Sequence, residues 1–185
     1  MMQKLNLAIK EEHSKHSFFI MMEDISLSTC KNAIEWILEA NFTEDRPELL
    51  NLLICSPGGD LNAAFALVDT MRGSAIPIRT IGLGQIASAG LLIFISGTSG
   101  QRILTPNTSI LSHQYSWGAF GKEHELFATI KEFDLTTKRM IAHYKKCTGL
   151  KEDQIREVLL PPQDVWLSAA EAKKLGLCDD VKDLK

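Results

Sequence analysis

Ser88, His113 and Asp164 supply an alcohol, an imidazole and a carboxylate, the side-chain types that acyl-transfer chemistry uses. Ser88 lies in the stretch GQIASAG, residues 84–90, directly before a long apolar run. Its small neighbours allow a sharp strand-to-helix turn that presents the hydroxyl oxygen to an approaching carbonyl. A helix starting there sets its positive end beside the hydroxyl, where anionic charge develops as a tetrahedral intermediate forms. The stretch is not the Gly-x-Ser-x-Gly elbow, because Ile86 stands two residues before Ser88. A small residue packed where strand meets helix reads the same way, so seven residues leave the choice open.

A nucleophile needs a base, an orienting acid and an oxyanion site. The segment SPGGD, Ser56 to Asp60, ends an apolar strand with two glycines that can expose backbone N–H groups. It has no Lys-Ser/Thr continuation, which excludes a nucleotide phosphate loop and leaves a plain turn as the alternative. If Ser88 is catalytic, the Gly59 and Ala89 amides can jointly hold the oxyanion. His113, in LSHQ, can take the serine proton near neutral pH. His13, His16, His124 and His143 compete with it, and no H-E-x-x-H motif supports a zinc site. Asp164 is one of 23 acidic residues, but it sits between PPQ and VWLSAAEA, a constrained loop able to aim a carboxylate at a histidine. A surface or capping aspartate is its other reading.

The chain that must position these groups has 185 residues, 45% hydrophobic and 23% charged, with a formal charge of −3. That length and composition fit one globular domain over residues 1–185, which the alternation of strand and helix patterns makes α/β. The charge gives no electrostatic case for nucleic acid or an anionic membrane as partner. The start, MMQKLNLAIKEEHSKH, has no apolar core followed by a cleavage site, and the run GLLIFIS is too short to span a bilayer, so a cytoplasmic location is expected. Cys30, Cys55, Cys147 and Cys178 have no paired metal spacing and read as free thiols. Cys55 precedes the glycine turn, but its apolar strand suits a thiolate nucleophile poorly.

Strand and helix patterns alternate along the chain. SFFIMMED predicts a first strand, and Ser28 or Thr29 can cap a helix over CKNAIEWILEAN. LLNLLICS predicts a buried strand, LNAAFALVDTMRGS a helix, and IRTIGLG a parallel strand loosened by Gly82 and Gly84. SAGLLIFISG reads as a short buried helix, and brief strands surround Pro106. SWGAFGKEHE is a flexible or edge-strand connection into the longest helical pattern, about Glu123 to Lys146. LKEDQIREVLL reads as another helix, and residues 161–181 as a loop, a short helix with a Ser168–Glu171 capping box, and a last strand. Such alternation indicates parallel strands joined by right-handed βαβ crossovers.

Taken together and in order, SPGGDLNAAFALVDTM, GQIASAG, SHQ and DVWLSAAEAKKLGLCDDV resemble the proteolytic subunit of the Clp protease family, from roughly Phe18 to Val181. The resemblance implies the crotonase-like fold of Clp peptidases, with a protruding strand-helix handle at about 116–146. It implies a serine-type endopeptidase with Ser88 as nucleophile, His113 as general base and acid, Asp164 as orienting acid, and oxyanion donors at Gly59 and Ala89. No metal or cofactor is called for. Implied partners are further copies in heptameric rings, usually a double-ring tetradecamer, a AAA+ unfoldase that delivers unfolded proteins, and host Clp-type subunits in mixed rings. Two alternatives stand beside this: a weakly active subunit that modifies a mixed ring, and acyl-CoA chemistry on a related superfold. Several residues depart from the family pattern. Tyr115 follows His-Gln where proline is usual, Trp117 is bulky, and Ala89 stands where methionine is customary. The segment before SFFIMMED is short, which places the axial loop and entrance gate in question.

Overall fold

The computed structural model describes residues 15–184. His13 and the short amino-terminal segment lie outside them. Seven strands and six helices follow one another as β1 (His16–Met21), α1 (Leu27–Phe42), β2 (Leu49–Ser56), α2 (Leu61–Gly73), β3 (Ile78–Ala87), α3 (Ala89–Phe94), β4 (Arg102–Leu104), β5 (Ser109–Ser112), α4 (Glu123–Thr148), α5 (Glu152–Gln154, continued by a π-turn over Ile155–Leu159), β6 (Val165–Ser168), α6 (Ala169–Lys174) and β7 (Asp180–Val181). Strands β1-β2-β3-β4-β7 pair in that order, all parallel, and β5 adds to the far half of β3 with β6 antiparallel beside it.

The ten residues of β3 serve two neighbours. Thr80–Gly82 pair with β4, and Gln85–Ala87 pair with β5. Between them the strand bulges: two steps along β2, Ile54 to Ser56, match four along β3, Gly82 to Ile86. Gly84, at φ +60°, supplies the left-handed residue that the bulge needs. The glycines therefore redirect this strand instead of ending it, and β3 runs three residues past the sequence reading. That extension carries Ala87 to the edge of Ser88.

Local chemistry fixes the helix starts. Ser26, not Ser28 or Thr29, caps α1: its hydroxyl accepts the Thr29 N–H at 3.2 Å while Thr29 Oγ1 accepts the Ser26 N–H at 2.9 Å. The helix thus begins three residues earlier than expected, with Thr29 as the second half of a capping box. Asp60 caps α2 through a 2.8 Å bond from the Ala63 N–H. Ser168 and Glu171 form the capping box expected for α6. Two readings are corrected: Val165–Ser168 is a strand, not a loop, and the helix expected over 150–160 is one α-turn running into a π-turn. Residues 113–122 form no strand, so the connection into α4 is not an edge strand, and α4 ends at Gly149 in the left-handed conformation.

The buried core runs from Met21 to Cys178 and packs α1, α2 and α3 against the sheet. α4 joins it only through its second half, at Thr136, Met140, Ile141, His143 and Tyr144, while Phe127 and Ile130 of the first half stay exposed. At the far end, the Arg102 guanidinium pairs with both Asp179 oxygens and also donates to the Cys147 and Gly176 carbonyls. It thereby ties β4, the end of α4 and the approach to β7 into one joint. All four cysteines are free, and burial pushes the Cys30 and Cys178 thiols up to about 11, which makes them inert. Among the described residues no helix is long and apolar enough to cross a membrane.

His143 makes acid stability predictable. Its ring is buried between α2 and α3, with Nδ1 2.6 Å from Arg72 Nη2 and Nε2 2.9 Å from the Leu92 carbonyl. The guanidinium can only donate, so Nδ1 accepts, and Nε2–H donates to Leu92: the ring is neutral. Desolvation first, then the Arg72 and Lys146 charges, lower its pKa to about 4 from 6.5 against the opposing bond to Leu92. The unfolded ring therefore binds a proton more readily than the folded one. Stability is fully present above pH 6.5 and falls as the pH drops toward 4, by about 1.4 kcal/mol per pH unit and ~3 kcal/mol in all. Thermal unfolding followed from pH 7 to 4.5 shows this slope, and His143→Asn flattens it.

Candidate active site

The candidate groups meet at the carboxyl ends of adjacent parallel strands, where open α/β sheets place their ligands. Ser88 follows β3 at φ 52°, ψ −121°; among the described residues no other non-glycine has positive φ. Its N–H donates to the Leu111 carbonyl at 3.0 Å, which locks the strained turn onto β5. Gly58 makes room for it. A Cβ at Gly58, itself at φ +100°, would lie 2.6 Å from Ser88 Cβ and 2.9 Å from the Ala87 carbonyl oxygen.

Strand register brings the histidine and the acid together. β5 and β6 pair Ser109 with Ser168 through to Ser112 with Val165, so the next position in the antiparallel ladder sets His113 opposite Asp164. The side chains meet: His113 Nδ1 lies 3.1 Å from Asp164 Oδ1, and Nε2 lies 2.8 Å from Ser88 Oγ. An ionised carboxylate only accepts, so Nδ1 carries the proton and Nε2 is left to accept the serine hydroxyl. The imidazole is mostly covered and the carboxylate is 61% exposed.

Two backbone amides lie close to Ser88: Gly59 lines the same cleft, and Ala89 is the next residue along the chain. Gly58 and Asp60 on either side of Gly59 are both tied to Ile25, through Ile25 N–H to the Gly58 carbonyl and Asp60 N–H to the Ile25 carbonyl, each 2.8 Å. Ala89 begins α3, where a first-turn N–H has no partner within its helix. Among the described residues neither the Gly59 nor the Ala89 N–H donates a hydrogen bond. A cleft of about 480 Å³ runs from Gly59, Ser88 and His113 to Trp117, Glu132 and Phe133.

Tyr115 and Trp117 form the wall of this cleft. Their rings pack on Phe133 at 5.4 and 4.8 Å between centroids, and the Tyr115 hydroxyl donates to the Phe133 carbonyl at 3.0 Å. The chain after His113 is thus pinned to α4. The competing candidates stand elsewhere: His16 on β1, His124 in the exposed start of α4, His143 in the core, and Cys55 outside the cleft lining. Sequence reasoning missed β6, whose pairing selects Asp164 from the other carboxylates. The signal present was the short apolar run VWL following a proline pair.

The sequence pattern of the Clp protease family matches residues 6–185. The ATP-dependent Clp protease proteolytic subunit 2 of Corynebacterium glutamicum is 36% identical over 138 residues, covering 75% of this chain and 68% of that protein. With a match over nearly its whole length and that degree of identity to a curated proteolytic subunit, the chain belongs to the Clp protease proteolytic subunit family.

Proposed function

We propose that the chain is a serine-type endopeptidase subunit in which Ser88, His113 and Asp164 act as one proton-handling unit. The observation that carries this reading is the unbroken line of hydrogen bonds from Ser88 Oγ through both nitrogens of His113 to Asp164 Oδ1. Ser88 Oγ attacks the carbonyl carbon of a peptide bond, and its proton passes to His113 Nε2. The carbonyl oxygen takes the negative charge and turns toward the Gly59 and Ala89 amides, each donor worth about 2.7–4 kcal/mol in the transition state. His113 then gives the proton to the departing amine, leaving an acyl-enzyme on Ser88. Water enters, loses a proton to the same nitrogen, and releases the acid. Asp164 holds the Nδ1–H tautomer throughout and stabilises the imidazolium that forms twice per cycle.

The hydrolysis itself consumes no ATP. Short peptides are cleaved directly, and folded proteins are cleaved once a AAA+ unfoldase delivers them as extended chain. Assembly into heptameric rings, stacked as a double ring, belongs to the same reading. It is supported by the first half of α4, which leaves Phe127 and Ile130 uncovered on an unpartnered helix.

A fluorophosphonate, which phosphonylates activated serines, tests the assignment. Intact mass shows one adduct per chain, the modified peptide contains Ser88, and peptidase turnover falls in proportion to occupancy. Turnover that persists with Ser88 fully modified overturns the assignment.

A further inference from the structure

Asp164 lies beyond the last pair of the β5–β6 ladder, and more than half of its side chain is open to solvent. Neither burial nor the ladder fixes its carboxylate, and His113 Nδ1 is its one hydrogen-bond partner among the described residues. Yet an orienting acid must be held closely to keep the histidine tautomer. The chain leading to it, Leu159-Leu160-Pro161-Pro162-Gln163, enters from the π-turn that ends at Leu159. The last carbonyls of a helical segment have no partner within it and are open to other donors.

Those carbonyls are taken by the two neighbours of His113. Ser112 Oγ donates to the Leu159 carbonyl at 2.5 Å, and Gln114 Nε2 donates to the Leu160 carbonyl at 3.0 Å. Ser112 is fully buried and its hydroxyl also lies 3.4 Å from Tyr144 Oη. One residue on each side of the base therefore grips the segment that carries the acid. After Leu160 the proline pair limits backbone freedom, so a position set at 159–160 is passed along the chain to residue 164.

We propose that Gln114 and Ser112 are positioning residues that set Asp164 against His113. This rests on reading Asp164 as the orienting acid of the peptidase. Neither side chain touches the reacting atoms. Each acts by holding the acid's loop in register with the base, so its loss lets the carboxylate swing into water and the Nδ1–H tautomer lapse. The tether works on the rate of proton transfer, not on peptide binding. Its removal lowers kcat and leaves KM in place.

Gln114 gives the cleaner test, because its side chain is exposed whereas Ser112 is fully buried. Gln114→Met keeps the length of the side chain and removes the donor. One lost hydrogen bond of this kind predicts a fall in kcat of about three- to tenfold. Ser112→Ala serves as the second variant, with a larger fall expected and thermal unfolding and ring assembly measured alongside. The deciding measurement is a double-mutant cycle in the assembled enzyme with a fluorogenic peptide. If Gln114 acts through Asp164, Gln114→Met has no further effect once Asp164→Ala is present. An equal factor in both backgrounds, or no effect on kcat in the parent, overturns the proposal. Full activity in Asp164→Ala alone overturns the reading of Asp164 as the orienting acid, and that outcome is separate because it needs no Gln114 variant.

Discussion

Replacing Ser88 with alanine lowers kcat/KM for a fluorogenic peptide about a million-fold, replacing His113 with alanine does much the same, and the double replacement loses no more. The expected equality follows from the geometry. Ser88 Oγ and His113 Nε2 are 2.8 Å apart and share one proton, so neither performs its step without the other. An alcohol without its base stays protonated at neutral pH, and a base without the alcohol has no bound nucleophile to activate. What survives is the contribution of the Gly59 and Ala89 amides and of substrate binding, about 10³–10⁴ over water. KM changes little in any of the three, because the cleft wall of Trp117, Glu132 and Phe133 is untouched. Steady-state kinetics with contaminating proteases excluded read the result. Ser88→Ala enzyme retaining a tenth of the parent's turnover contradicts the assignment.

Gly59→Ala has the second largest effect: kcat falls about 10²–10³-fold while KM stays close to its parent value. Gly59 sits at φ +148°, and a Cβ there would lie 2.1 Å from the Ile25 carbonyl oxygen. That oxygen is backbone and has no rotamer to escape into. It is also the acceptor for the Asp60 N–H, and Ile25 N–H is bound to Gly58, so the clash cannot be relieved without moving residues 58–60 as a unit. Such a shift takes the Gly59 N–H off the developing oxyanion and also strains the fold, by about 1–3 kcal/mol. Gly73→Ala is the matched control. An added carbon there meets nothing within 4 Å, and its φ lies outside the left-handed range, so kcat is unchanged. A Gly59→Ala enzyme with parental kcat and a lowered melting temperature would leave Gly59 a structural residue only.

The parts of this molecule that repeat a local pattern could be read without coordinates. Alternating strand and helix periodicity, the long helix from Glu123 and the Ser168–Glu171 capping box all depend on residues within a few positions of each other. The site depends on something else. Ser88 and His113 are separated by 25 residues and His113 and Asp164 by 51, so their convergence is a property of strand pairing. β6 is the instructive miss: four residues after Pro-Pro-Gln-Asp, running straight into a helix cap, resemble a loop, and they become a strand because β5 offers a free edge. Its register then selects Asp164 from among the chain's carboxylates. The course of β3 past Gly84 is hidden in the sequence for a related reason, since a glycine that ends a strand and one that bulges it look alike until a second partner strand is known.

The decisive measurement is the structure of the chain with a peptide phosphonate bonded to Ser88, because the phosphoryl oxygen stands where the oxyanion forms. The expected structure has phosphorus on Ser88 Oγ, that oxygen within about 2.7–3.1 Å of both the Gly59 and Ala89 nitrogens, and His113 still bridging to Asp164. An adduct on another side chain, or an oxygen turned away from both amides, contradicts it.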